Sequence, residues 1–304
     1  MRTRRSLDFY ESRKHVVALG CFDGVHAGHC ELIRKAVQIA KKSEHPLAVF
    51  SFEEPPRNFF ATERIPMLTG LDEKKRLMRA LGVDLFVCVP FSLKISELDA
   101  NQFFADVLLK KFHASAIVCG FNYRFGKNGA GDTVLLQKLC SDNGIDLAVI
   151  PPVIIDGVTV SSSAIRQMLA HGNVISASRM LGRPYSISST VIDGQHLGRT
   201  LGFPTINQLF DKGITPLKNG VYVTRVRIGR SLKKGITNVG MRPTVNGHTL
   251  CAETNIFDFN GDLYGKTVRV EFIDFIRPER KFDSIDELAA QVHRDIETAK
   301  DCNF

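Results

Sequence analysis

Long apolar runs are missing from this sequence: none approaches the roughly 18 residues of a membrane-crossing helix, so no membrane span is expected. A signal core is missing too, because the basic start Met1-Arg2-Thr3-Arg4-Arg5 runs into Ser6-Leu7-Asp8-Phe9, and the expected compartment is the cytoplasm. The seven cysteines are an odd number with no CxxC pair and no Cys/His ligand spacing. That argues against a disulfide framework or zinc and for reduced thiols. Neither an internal repeat nor a low-complexity linker divides the chain. What is present fits a soluble globular protein. Its 304 residues suggest about two domains, with 44% hydrophobic content to fill their cores. A net charge of +8 and a pI near 9.2 suit a protein that handles anions, whether free nucleotides or nucleic acid. The charge is spread in pairs such as Lys41-Lys42 and Lys110-Lys111, which read as solvated surface.

The most informative stretch is 16–31. Val16-Val17-Ala18-Leu19 is the apolar run of a buried strand; the chain then breaks at Gly20-Cys21-Phe22-Asp23-Gly24 and enters the helix pattern of Leu32-Ile33 and Ala36-Val37. A strand, tight turn and helix start aim unpartnered backbone amides at an anion. His26 and His29, three apart, share a face of the first turn and can donate to one phosphate. Gly24 and Gly28 leave room for a nucleotide to approach the backbone.

From there to Pro184, strand-like segments at 47–52, 85–89, 116–119 and 147–150 alternate with helical ones at 31–42, 73–81, 101–112 and 133–142. Alternation of this kind predicts βαβ units and a parallel sheet in a Rossmann-like α/β fold, with the ligand beyond the carboxyl ends of the strands. Three further pieces fall at such ends. One is Ser51-Phe52-Glu53-Glu54-Pro55-Pro56-Arg57. Another is the loop Gly120–Lys127, where Asn122 can contact adenine or ribose, or simply serve the turn. That loop is not a phosphate-binding P-loop: five residues separate its glycines instead of four, and Asn128 follows the lysine. The third is Ser161-Ser162-Ser163, which caps a helix carrying Arg166 one turn in, a combination suited to clamping β- and γ-phosphates.

After Leu181-Gly182-Arg183-Pro184 the pattern changes to short strands between glycine turns, at 185–193, 220–228, 234–239, 251–257 and 267–276. That predicts a small β-barrel closed by a helix at 285–300 with Leu288, Val292 and Ile296 on one face. The domain boundary is placed near residue 184, giving domains 1–184 and 185–304.

The string GCFDGVHAGH at 20–29 resembles the first motif, GxFDGVHxGH, of the bacterial bifunctional riboflavin kinase/FAD synthetase family, within the HxGH nucleotidyltransferase superfamily. The Ser161 to Arg166 segment is similar to the superfamily's SSTxxR. Pro55 stands where the family's TFxPHP has histidine, and Tyr123 fills the first aromatic position of GxxFxFG. In the second half, Gly198-Arg199-Thr200-Leu201-Gly202-Phe203-Pro204-Thr205-Ile206-Asn207 resembles the riboflavin kinase GRxLGFPTAN. Gly220-Val221-Tyr222, Asn238-Val239-Gly240-Met241-Arg242-Pro243-Thr244, Glu253, Asp262-Leu263-Tyr264-Gly265 and Arg277-Pro278-Glu279-Arg280-Lys281-Phe282 follow in family order.

The resemblance implies a Rossmann-like nucleotidyltransferase domain followed by a small six-stranded β-barrel riboflavin kinase domain with a C-terminal helix. It implies two reactions: ATP-dependent phosphorylation of riboflavin to FMN, then adenylyl transfer from ATP to FMN giving FAD and pyrophosphate. The partners are then ATP, riboflavin and FMN, with no nucleic acid and no membrane. By the same carry-over, His26, His29 and Arg166 act in adenylyl transfer, and Gly20, Phe22, Asp23, Gly28, Asn122, Ser162 and Ser163 bind the nucleotide. In the barrel, Glu253 is the base and Thr205 and Asn207 hold Mg²⁺. Gly198, Arg199 and Tyr264 bind cofactor, and Arg277 with Phe282 borders the flavin. Asn255 replaces the family's usual histidine.

The chemistry of the two steps differs. An FMN phosphate arrives ionised and needs only charge and position, whereas the riboflavin hydroxyl needs a carboxylate to take its proton. Two rivals stand beside this reading. A class I aminoacyl-tRNA synthetase fragment shares the HIGH-like signature, but no KMSKS-like stretch is present. A flavin-responsive regulator or RNA-binding module would treat Pro55 and Asn255 as marks of decayed sites.

Overall fold

Val16, Val17, Ala18 and Leu19 are fully buried, as a strand covered on both faces must be. The computed structural model describes residues 1–194, 198, 202–244 and 247–302, in two units, Met1–Ser162 and Ser163–Phe304.

In the first unit β1 (Arg2–Arg4), β2 (His15–Leu19), β3 (Leu47–Phe52), β4 (Leu85–Val89), β5 (Ala114–Gly120) and β6 (Asp146–Ile150) form one sheet. Its order is β1-β4-β3-β2-β5-β6 and every pairing is parallel. Alternate residues of β2 feed two cores: Val17 and Leu19 pack with Phe50 and Ile117, and Val16 and Ala18 with Val49 and Phe86. The chain runs outward from β2 through β3 to β4 on one side and through β5 to β6 on the other. The carboxyl end of β2 is therefore the switch point where such sheets bind ligands. A hairpin of β7 (Ile154–Ile155) and β8 (Val158–Thr159) ends the unit.

Two features depart from the sequence reading. The basic start is the edge strand β1, paired with β4, with Arg2 2.7 Å from Glu11 and Arg5 2.6 Å from Glu53. The helix expected at 101–112 widens over Phe103–Leu109 to i→i+5 hydrogen bonding, with Lys110 N 3.0 Å from Ala105 O and Phe112 N 3.3 Å from Val107 O. Four buried side chains (Phe103, Phe104, Val107 and Leu108) settle into one core through that wider turn.

In the second unit the helices Ser162–Ala170 and Val174–Leu181 precede a closed antiparallel barrel. Its strands are β9 (Tyr185–Ile192), β10 (Thr205–Leu209), β11 (Gly220–Ile228), β12 (Ser231–Thr244), β13 (Gly247–Ile256) and β14 (Thr267–Arg277), in the order β10-β13-β12-β11-β14-β9. The six strands match the count the resemblance implies; the strand pattern alone predicts five and misses β10. Inside the barrel the buried hydroxyls of Thr224, Thr237 and Thr254 are linked at 2.9 and 2.8 Å, one per strand across β11, β12 and β13. Strand alternation turns Val221, Val223 and Ile236 outward, where Ile296 and Ala299 of the closing helix Ile285–Asp301 cover them.

Candidate active sites

At the end of β2 the chain adopts three left-handed conformations within four residues: Phe22 at φ 51°, Gly24 at φ 81° and Val25 at φ 41°. For a buried phenylalanine and a β-branched valine this is strained backbone, costing about 1–3 kcal/mol per residue. The surroundings hold it in place. Asp23, buried, accepts from the backbone amides of Leu68 and Thr69 at 2.8 and 3.4 Å, and its carbonyl accepts from the Ser162 hydroxyl at 2.9 Å. Asp23 and Ser162, both expected at the nucleotide, thus serve the loop that would receive it.

His26 is the N-cap of the helix Ala27–Ser43, its Nδ1 accepting from the His29 amide at 3.3 Å. That bond assigns the proton to Nε2. The rings of His26 and His29 stack at 3.6 Å between centroids and 15° between planes, and Phe22 meets His29 edge-on at 5.2 Å. The expected pair on one face is therefore assembled.

Gly28, read from the sequence as room for a nucleotide, and Gly20 also have a local reason. A Cβ at Gly28 would sit 3.3 Å from the His26 ring and one at Gly20 3.1 Å from the Phe22 ring, so both make room for the protein's own rings. Asn122 lies exposed in the turn after β5. Ser163 is exposed and Arg166 half-buried on the helix Ser162–Ala170, in the second unit. Pro55 accepts the Asn58 amide at 2.8 Å as a short helix begins, and Arg57 is exposed there.

Sequence reasoning missed an aromatic cluster in the same unit. Phe59 and Phe60, both exposed, meet Phe91 edge-on at 5.6 and 6.1 Å, and Phe91 meets Phe52 at 5.2 Å. These edge-to-face rings form an aromatic platform beyond β3, open to solvent at Phe59 and Phe60. Its signal was the Phe59-Phe60 pair in a polar stretch.

On the outer face of the barrel lies a cavity of about 290 Å³, bounded by β10 to β13, the closing helix and the segment from Arg277 to Phe282. Thr205, Glu253, Asn255, Arg277 and Phe282 line it, together with Gly198. Across the strands Asn207, Glu253 and Asn238 are direct partners in one row, and Thr205 is paired with Asn255. A row of this kind points to one side of the sheet, so the strand register aligns Thr205, Asn207 and Glu253. Tyr264 is not among the lining residues; it stands exposed on the turn before β14. Arg199 lies outside the described residues.

Glu253 is pushed above the ordinary carboxylate value, first by desolvation in the cavity and then by Glu279, with Arg242 opposing. Glu279 also lines the cavity, its carboxylate 3.1 Å from Asn219 Nδ2 and 3.5 Å from Asn238 Nδ2, and a Cβ on Gly240 would overlap it. Arg277, expected beside the flavin, is committed to the buried Asp295: Nη2 and Nε reach Oδ2 at 2.7 and 2.9 Å, and Gln291 donates to Oδ1 at 2.7 Å. Phe282 then has Arg277 and Arg280 at 5.8 and 4.6 Å from its ring centre. Asn255 donates to Pro204 O at 2.7 Å, which ties β13 to the turn before β10.

The FAD synthetase family model matches residues 9–164 and the riboflavin kinase model residues 181–303. The bifunctional riboflavin kinase/FMN adenylyltransferase of Escherichia coli K12 is 39% identical over 94% of this chain and 92% of its own. That of Bacillus subtilis 168 is 33% identical over 95% and 92%. A solved structure described as a macrolide-efflux protein from Streptococcus pneumoniae covers 100% of both chains at 34% identity and a TM-score of 0.91. Among the described residues of this chain no helix is long and apolar enough to cross a membrane. Stacked histidines at a sheet's switch point, a desolvated glutamate on a six-stranded barrel and these likenesses agree: the chain belongs to the bifunctional riboflavin kinase/FMN adenylyltransferase family, making FMN from riboflavin and FAD from FMN.

Proposed function

We propose that each step has its own site: adenylyl transfer at the loop after β2 and phosphorylation at the outer face of the barrel, with the boundary near residue 184. In support of that boundary, the first family match ends at residue 164, the second begins at residue 181, and β9 starts at Tyr185.

The observation that carries the kinase assignment is Glu253, a carboxylate facing a cavity with its pKa raised. A raised pKa makes it a stronger base for the ribityl hydroxyl. Thr205 and Asn207 on the adjacent strand offer a hydroxyl and an amide oxygen, hard donors that suit Mg²⁺. The ion, bound there, would neutralise charge on ATP phosphate oxygens.

In the first unit the acceptor is a phosphate already ionised, so no base is required. The Nε2–H of His26 and the ring of His29 supply hydrogen bonds to the phosphate under attack and to departing pyrophosphate. The strained loop holds both rings in place before substrate arrives. The aromatic platform of Phe59, Phe60 and Phe91 offers a surface for the isoalloxazine of FMN. The proposed compartment is the cytoplasm, where the chain's free thiols stay reduced.

A chromatographic assay tests the division. Glu253→Ala abolishes FMN formation from riboflavin and Mg·ATP but spares FAD made from supplied FMN. Loss of both would contradict separate sites.

A further inference from the structure

Lys74 is buried to 1% exposure, an unusual place for an ammonium group. It lies on the helix Leu71–Ala80, on the same face as Leu71 and Met78, and so occupies a core position. Its Nζ donates to two backbone carbonyls, Cys21 O and Phe52 O, each at 3.2 Å. Phe52 is the last residue of β3, and Cys21 opens the strained loop after β2.

The same two oxygens are within reach of the Ser51 hydroxyl, at 2.8 Å for Cys21 O and 3.2 Å for Phe52 O. Among the described residues Lys74 makes no ion pair. Glu53 is held by Arg5, and the Cys88 thiol, which feels the ammonium charge, is kept neutral by burial that pushes it up to about 11. Among the described residues, two carbonyl dipoles are thus the hydrogen-bond partners of a charge taken out of water. An arrangement so costly to bury is a candidate for function rather than for packing, since methionine would fill the same space.

We propose that Lys74 is a positioning residue for adenylyl transfer. It clamps the carboxyl ends of β2 and β3 together and fixes the departure of the loop that carries Phe22, Asp23 and the His26/His29 pair. The ammonium reaches the chemistry through the Cys21 carbonyl. It has no part in the barrel, so riboflavin phosphorylation is independent of it. The inference rests on placing adenylyl transfer at this loop.

The experiment compares Lys74→Met, Lys74→Arg, Ser51→Ala and His29→Ala in the full chain, measuring kcat and KM for FAD formation from FMN and Mg·ATP, with riboflavin phosphorylation as internal control. Lys74→Met is expected to lower kcat for FAD formation at least tenfold with KM for FMN within twofold of the parent and kinase activity retained. Lys74→Arg, which keeps a cationic donor, should recover part of that loss. An unchanged kcat in folded Lys74→Met overturns the proposal, as does an equal fall in both activities. Should Lys74→Met not fold, Ser51→Ala decides: a several-fold lower kcat with intact kinase supports the clamp, and a parental kcat overturns it. Parental FAD formation by His29→Ala would instead overturn the site assignment itself, which separates the two failures.

Discussion

The imidazoles of His26 and His29 lie 3.6 Å apart and 15° from parallel, at the N-terminus of one helix. Their stacking follows from the helix itself: residue N-cap and residue N3 overlie each other, and the N-cap ring is pinned by the amide of the other. The pair is one unit, so removing one ring releases the other.

Replacing His29 with alanine removes a ring proposed above to donate to phosphate. By comparison with other preorganised donors, kcat for FAD formation falls about 10²–10³-fold. FMN formation stays at the parental rate. Steady-state assays of the two half-reactions check this.

Glu253→Gln keeps the shape of the cavity and removes the proposed base. FMN formation falls by about 10²–10⁴. In the parent enzyme kcat/KM for riboflavin declines on the acid side as Glu253 takes up its proton, at a pH above the ordinary carboxylate value because desolvation raises it. The stability effect has the opposite sense. A carboxylate raised in the fold destabilises it at every pH above both its folded and unfolded pKa, and this cost vanishes below the unfolded one. Glu253→Gln should therefore melt higher than the parent at pH 7, and the difference should disappear at low pH. Thermal unfolding at a series of pH values tests the sign.

Asp295 is buried, holds Arg277 through two nitrogens and accepts from Gln291. Asp295→Ala leaves the guanidinium without its partner and loosens the closing helix over the cavity. The expected cost is about 3–5 kcal/mol of stability in the barrel. A raised KM for riboflavin should accompany it. Denaturant unfolding of the variant measures the first and kinetics the second.

Phe60 is 68% exposed, so truncating it perturbs no core. If the platform receives the isoalloxazine, Phe60→Ala raises KM for FMN about 2–10-fold, the worth of one aromatic contact. The midpoint of unfolding should not move. A parental KM would exclude the platform.

Much of this architecture was legible because its signals were local. Leu47–Phe52, Leu85–Val89 and Thr133–Asp142 begin and end where the apolar patterns do. Five of the barrel's strands were legible too, since glycine turns punctuate them, whereas β10 at Thr205–Leu209 reads in the sequence only as a motif and not as a strand. What escaped depends on contacts across the chain. Arg2–Arg4 looks like a charged tail until β4 offers it an edge. Lys74 sits in the run Asp72-Glu73-Lys74-Lys75-Arg76 and looks solvated, although its spacing from Leu71 and Met78 marks the inner face of the helix. Glu279 and Asp295 gain their roles only when the segment after β14 and the closing helix meet the barrel's outer face. Conversely, Asp23 and Ser162 were found by motif, yet their hydrogen bonds go to the loop, because a strained turn consumes polar partners before any ligand can.

The central claim is that two independent sites on one chain act in sequence, linked by free FMN. Mixing equal amounts of Glu253→Gln and His29→Ala with riboflavin and Mg·ATP, and following flavins by chromatography, tests it most directly. The account predicts that neither variant alone converts riboflavin to FAD, whereas the mixture does, one supplying FMN and the other adenylylating it. A mixture that yields no FAD, while His29→Ala still accumulates FMN and Glu253→Gln still adenylylates added FMN, would contradict it.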